Sequence, residues 1–284
     1  MQTRESIWGR PATQPRTSEQ RCAPPHRHRN SLRRAASPTM ATWQPLPLAF
    51  DAEAFVSSAA RGRLNPLPGS QDHLPATYAV ARGFVSEAEA AALHAFFASP
   101  SNPHIERTSL AGDELAAGQA PDPGEALVRQ LYGNPQPFRD AFPEVWARLL
   151  ALKDALGAAC GVDADELARV SFAQDIRHIT YGPGEECPWH RDDPISHFNT
   201  IVMLARPGDD FTGGELRLHP GPLPGRDADD APGVRAPKLR HGDAVIYSTP
   251  KVDHCVSATL SGTRTICLVE LRREEAAERR EGPR

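Results

Sequence analysis

A chain of 284 residues, 39% hydrophobic and 24% charged, is long enough to bury one large core or two modest ones and has the composition of a soluble globular protein. Its net charge of −4 gives no field that would draw the whole chain to nucleic acid, and no apolar run approaches the roughly 20 residues of a membrane span. Five scattered cysteines without a Cys-x-x-Cys pair argue against a disulfide scaffold and for a reducing, cytoplasmic setting.

Residues 1–45 carry eight arginines against Glu5 and Glu19, with few aliphatic residues. Such a segment cannot bury enough apolar area to offset chain entropy, so it reads as a disordered basic arm. Its arginine and serine content also fits an organellar import segment, and Met40 offers an alternative start. Residues 46–165 read as a mainly helical support region. Ser86 followed by Glu89 and an alanine-rich run marks a capped helix start. Pro143 to Ala159 reads as a second helix, with Val145, Leu149, Leu152 and Leu156 on one stripe. Between them, Ser99 to Gly124 is rich in proline, glycine and polar residues and reads as loop.

From residue 166 to 273 the pattern changes to short strands. They are expected at Val170 to Tyr181, Thr200 to Ala205, Glu215 to His219, Asp243 to Ser248, Val252 to Val256 and Arg264 to Arg272. Pro220 to Pro232 reads as a surface loop, and residues 274–284 as a charged tail. The fold class expected is α+β, mostly β: a double-stranded β-helix, or jelly roll, with the N-terminal helices supporting one sheet from outside.

Within this region lie His190 and Asp192, then His254, then Arg264. Side chains at i and i+2 of an extended strand share a face, so His190 and Asp192 point the same way and Arg191 points out. Two imidazoles and one carboxylate can occupy one face of an Fe(II) ion and leave positions open for oxygen and a co-substrate. Arg264 supplies a planar cation suited to a carboxylate. His254 and Arg264 are expected on two neighbouring strands joined by the turn at Leu260 to Thr263. The nearby His197, His219 and His241 are expected to be surface or supporting residues rather than ligands.

The chain resembles the Fe(II)- and 2-oxoglutarate-dependent dioxygenases of the prolyl-4-hydroxylase-like branch. Tyr181 with Gly182 and Gly184, His190 and Asp192, and Gly213-Gly214-Glu215-Leu216 carry the resemblance. It continues through Pro237 to Tyr247, His254 and Gly262-Thr263-Arg264, spans roughly Val170 to Arg272, and has a weaker echo upstream at Tyr78 to Glu89, which looks like the strand and helix that open this family's domain. The resemblance implies that His190, Asp192 and His254 hold iron, that Arg264 binds 2-oxoglutarate, and that Tyr181 touches the same co-substrate. It implies O2 as oxidant and ascorbate as a further cofactor. Relatives acting on collagen-like chains usually have lysine where Arg264 stands, which counts against collagen-type activity.

The function expected is hydroxylation of an amino-acid side chain, foremost a prolyl residue in a peptide. Hydroxylation of a free amino acid or small metabolite is the second reading, and a non-catalytic jelly-roll metal-binding protein the third. The partner is a peptide or small-molecule substrate; neither a membrane nor nucleic acid is expected, and no oligomeric state is legible.

Overall fold

A computed structural model describes residues 78–192, 196–220, 231 and 233–273. The basic arm, the first part of the support region, most of the Pro220 to Pro232 loop and the charged tail lie outside the described residues.

The order of elements is β1 (Tyr78–Ala81), α1 (Glu87–Ala98), β2 (Glu106–Ser109), β3 (Leu127–Tyr132), α2 (Gln136–Ala141), α3 (Pro143–Ala159) and α4 (Ala164–Arg169). There follow β4 (Phe172–Tyr181), β5 (Cys187–His190), β6 (Ser196–Met203), β7 (Phe211–Gly213), β8 (Leu216–Pro220) and β9 (Ala244–Ser248). The last strands are β10 (Val252–Val256), β11 (Thr259–Gly262) and β12 (Arg264–Arg272). They form an antiparallel jelly roll, as expected. A seven-stranded major sheet runs β1-β9-β6-β12-β4-β3-β2, and it faces a three-stranded sheet β5-β10-β8 and the pair β11-β7.

The two faces of the major sheet build two cores, because strand side chains alternate. On β12, Cys267, Val269 and Leu271 point toward the helices, while Ile266 and Leu268 point into the jelly roll. The helical core gathers Leu93 and Phe97 of α1 and Leu149, Leu152 and Leu156 of α3. Each of these side chains is fully buried and stabilises the fold by roughly 1.5–3 kcal/mol. The capping box of α1 forms as its sequence predicts. Glu89 N–H donates to Ser86 Oγ at 3.2 Å, and Ser86 N–H donates to Glu89 Oε2 at 2.8 Å.

The support region is less helical than its sequence suggests. β1, the strand expected at Tyr78, is joined in the major sheet by β2 and β3, which were not expected, and β2 lies inside the stretch read as loop. Four-residue strands such as β2 carry almost no periodicity. They exist because β3 pairs with β4 and β2 with β3, contacts between segments distant in sequence.

Candidate active site

Two strands of the smaller sheet bring the histidines together. His190 ends β5 and His254 lies at the centre of β10, and the two are direct register partners, with ring centroids 4.1 Å apart. Asp192 follows just past the end of β5. His190 Nε2 lies 3.4 Å from one carboxylate oxygen of Asp192, and His254 Nε2 lies 3.4 Å from the other. One ligand atom from each of the three residues lies within 4.8 Å of the others. Outward-facing Arg191 donates from Nε to Asp253 Oδ1 at 2.7 Å, which clips the end of β5 to β10.

The surroundings fix these groups. His190 Nδ1 donates to the Pro188 carbonyl at 2.8 Å, so Nε2 is the atom turned to the centre. Asn199 of β6 donates from Nδ2 to Asp192 Oδ2 at 2.6 Å, reaching across from the major sheet. Burial raises the Asp192 carboxyl, but His254, His190 and Arg177 more than offset this and hold it at about 2. Burial pushes His254 down to about 4. Burial also opposes charge on His190, yet its hydrogen bond to Asp192 raises it well above the ordinary value. An ionised carboxylate facing two imidazole nitrogens is a donor set suited to one divalent transition metal.

Arg264 opens β12 and is the register partner of Tyr181 at the end of β4. Its side chain is fully buried, and its Nε, Nη1 and Nη2 atoms have no hydrogen-bond partner. Its guanidinium carbon lies 5.0 Å from the centroid of the buried Tyr181 ring. Burial lowers its pKa. Gly214 makes room for it: the backbone there has φ +60°, and a Cβ would lie 2.7 Å from Arg264 Cδ. An unpartnered buried guanidinium costs several kcal/mol. A cation so placed can hold an anion that arrives from solution.

The far end of the same inward face is charged. Alternation along β4 puts Asp175 and Arg177 on the side of Ile179 and Tyr181, and along β12 puts Glu270 on the side of Ile266 and Leu268. Arg177 donates to Asp175 Oδ2 through Nε at 2.8 Å and Nη2 at 2.6 Å, and its Nη1 stands 3.6 Å from Glu270 Oε1. Burial pushes Glu270 up to about 7. Arg177 opposes the rise, while Asp192 and Asp175 add to it.

The folded state thus holds the Glu270 proton more tightly than the unfolded chain, so this residue lowers stability as pH rises from about 4.5 toward 7. The gap between those values corresponds to about 3 kcal/mol. His178 and His254, held neutral by burial, lose stability in the opposite direction as pH falls. The effect is therefore read as a difference. Urea denaturation of metal-free protein should show Glu270→Gln gaining stability over wild type as pH goes from 4.5 to 7.5. A difference independent of pH would remove this assignment.

All five residues singled out in the sequence lie inside the jelly roll, His190, Asp192 and His254 in one cluster and Arg264 with Tyr181 in another. One expectation fails: His254 and Arg264 are not on neighbouring strands. β10 and β12 belong to opposed sheets, with β11 between them in sequence and paired to β7. Leu260 to Gly262, read as a turn, belong to strand β11. His197, His219 and His241 are not in the cluster. Sequence reading missed Asn199, Asp175, Arg177 and Glu270. Alternation was the available signal, because it puts charged residues on a strand face that otherwise carries Ile179, Ile266 and Leu268.

No family model matches the chain, and no curated protein matches it. Solved structures do. The prolyl hydroxylase of Trichoplax adhaerens, in complex with a hypoxia inducible factor peptide fragment, is similar over 78% of this chain and 90% of its own, with 10% identity and a TM-score of 0.50. An oxidoreductase of the 2OG-Fe(II) oxygenase family from Burkholderia pseudomallei is 15% identical, over 78% of this chain and 92% of its own, with a TM-score of 0.47. A prolyl-4-hydroxylase from Pseudomonas putida is 15% identical, over 79% of this chain and all 100% of its own, with a TM-score of 0.45. At such identities the likeness is one of fold, and it agrees with the jelly-roll topology built above. In fold, the chain is similar to the prolyl hydroxylase of Trichoplax adhaerens.

Proposed function

We propose that the protein is an Fe(II)- and 2-oxoglutarate-dependent dioxygenase that hydroxylates an amino-acid side chain. The observation that carries this reading is the pairing of two features in one interior. His190, Asp192 and His254 form a three-donor cluster, and the buried Arg264 guanidinium has no protein partner. A protein that merely stored or sensed a metal would have no use for the second feature.

His190, Asp192 and His254 would hold the metal on one face, leaving its other positions to small molecules. Arg264 would grip the distal carboxylate of 2-oxoglutarate with its planar fork, and Tyr181 would wall that co-substrate. Bound together, ferrous iron and 2-oxoglutarate supply the oxidation: 2-oxoglutarate gives succinate and carbon dioxide, and the atoms of O2 are divided between succinate and a substrate C–H bond. Asn199 would fix the Asp192 carboxylate by its 2.6 Å bond. The buried walls Tyr247, Val252 and Leu218 exclude water from the reacting centre. Ascorbate would serve as an external reductant that keeps the metal ferrous.

A peptidyl proline is the first substrate reading, supported by the peptide-bound prolyl hydroxylase among the structures of like fold. The charged wall of Asp175, Arg177 and Glu270 favours the second, an amino acid or small metabolite with polar groups. Among the described residues no helix is long and apolar enough to cross a membrane. The function is tested by incubating the full chain with Fe(II), 2-oxoglutarate and O2. Succinate should form, and a chelator should stop it. Absence of both succinate and 2-oxoglutarate binding would overturn the reading.

A further inference from the structure

We infer that the substrate carries a cationic nitrogen close to the carbon that is hydroxylated, and that Glu270 with Tyr132 receives it. The inference rests on the oxygenase reading and adds the substrate's chemical class.

Arg264 and Glu270 lie on the same inward face six residues apart, which is roughly 20 Å of strand. A 2-oxoglutarate held by Arg264 occupies one end of that face. The metal cluster is tied to the other end, because Asn199, which bonds Asp192, is the direct register partner of Glu270. Cross-strand partners have Cβ atoms about 5 Å apart. Glu270 therefore lies beside the metal cluster, on the side away from the co-substrate.

The same register row continues through Asp175 of β4 to Tyr132 of β3. Alternation from the interior residue Val128 puts Tyr132 on the inward face, and it is 46% exposed, so its ring stands at the rim. The row thus presents two carboxylates and an aromatic ring. Arg177 gives both of its short contacts to Asp175 and leaves Glu270 at 3.6 Å. Ser196 donates to the other Glu270 oxygen at only 3.4 Å. Yet the Arg177 side chain is 31% exposed, so this part of the interior opens to solvent. One row further in, the inward residues of β6 and β12 are apolar, Ile201 and Leu268. A carboxylate held only by these long contacts, in a row that ends in a rim aromatic, suits an ammonium or guanidinium group. The neutral ring of a proline would leave the Glu270 carboxylate with only its long contacts to Arg177 and Ser196.

The source of the cation, a free amino acid or the side chain of a peptide, is separated by the choice of probes. The full chain, loaded with Fe(II) and 2-oxoglutarate, is given free L-arginine, L-lysine, L-proline and the neutral analogues L-citrulline and L-norleucine. Parallel reactions contain acetylated tripeptides with lysine, arginine or proline at the centre. Succinate formation is followed, and products are weighed for one added oxygen atom. Cationic probes, free or peptidyl, should stimulate turnover about ten- to a hundredfold more than their neutral counterparts, the range of one charge-assisted hydrogen bond. Glu270→Gln should raise the KM for the cationic probe and erase the preference. Tyr132→Leu, at an exposed site that tolerates change, should weaken it. Neutral analogues or proline equal to the cations, or no response to any cationic probe, would overturn the inference. If the unmodified protein neither binds nor consumes 2-oxoglutarate with any probe, the oxygenase reading itself fails.

Discussion

Replacement of His190, Asp192 or His254 by alanine should each abolish succinate formation and prevent the protein from retaining a stoichiometric metal ion. The cluster has three donors and no fourth His, Cys, Asp or Glu grouped with them among the described residues, so no neighbour can take over. The strand geometry makes the loss specific. His190 and His254 are register partners, and the strand pairing that positions them does not depend on either imidazole. The variants should therefore fold. Asp192→Ala removes the carboxylate that faces both rings at 3.4 Å, leaving two imidazoles and no negative charge to attract a cation. Asn199→Ala provides a graded comparison. It removes only the 2.6 Å bond that orients Asp192, so a loss of roughly 10- to 100-fold in metal affinity or rate is expected rather than abolition. Metal analysis and succinate assays on the four variants check this. Full turnover in any two of the alanine ligand variants would remove the assignment.

What the sequence revealed and what it concealed have one physical cause. Local features were legible. The capping box at Ser86, the helix from Pro143 to Ala159 and the last strand from Arg264 to Arg272 depend on residues near one another in the chain. His190 and Asp192 were legible for the same reason, because an i, i+2 pair shares a face whatever the rest of the chain does. The partner of each strand was not. β1 joins β9 across more than 150 residues of chain, and nothing in Tyr78–Ala81 announces that pairing. The same ignorance put His254 and Arg264 on adjacent strands, when the fold sends one to each sheet.

The charged wall was hidden for a subtler reason. Asp175, Arg177 and Glu270 look like the outward residues of half-buried strands until the inward face is fixed. Tyr181 and Arg264 fix it: counting back by two from Tyr181 gives Ile179, Arg177 and Asp175, and counting forward by two from Arg264 gives Ile266, Leu268 and Glu270. Polar residues on the inward face of a jelly roll disturb the local pattern. In the oxygenase reading they do so because that face forms the site.

Arg264→Met should make the ligand-free protein more stable and at the same time remove its response to 2-oxoglutarate. The wild-type guanidinium is fully buried, and its three nitrogens have no hydrogen-bond partner. Desolvating such a charge without compensation costs several kcal/mol, whereas an unbranched apolar side chain can occupy much of the same space. Wild type recovers the cost only when an anion binds. In wild type, 2-oxoglutarate added with metal at 100 times its dissociation constant should contribute about 2.7 kcal/mol through mass action. Arg264→Lys keeps the charge but loses the fork, so it should retain part of that response. Arg264→Ala should weaken 2-oxoglutarate binding about ten- to a hundredfold and leave metal binding nearly unchanged, since Arg264 lies on the opposite sheet from both histidines. Thermal denaturation of the four proteins, each with and without 2-oxoglutarate, reads these effects together. A methionine variant that is still stabilised by 2-oxoglutarate as strongly as wild type would place the co-substrate's anchor elsewhere. A wild type without any such stabilisation would show that the buried cation serves another anion.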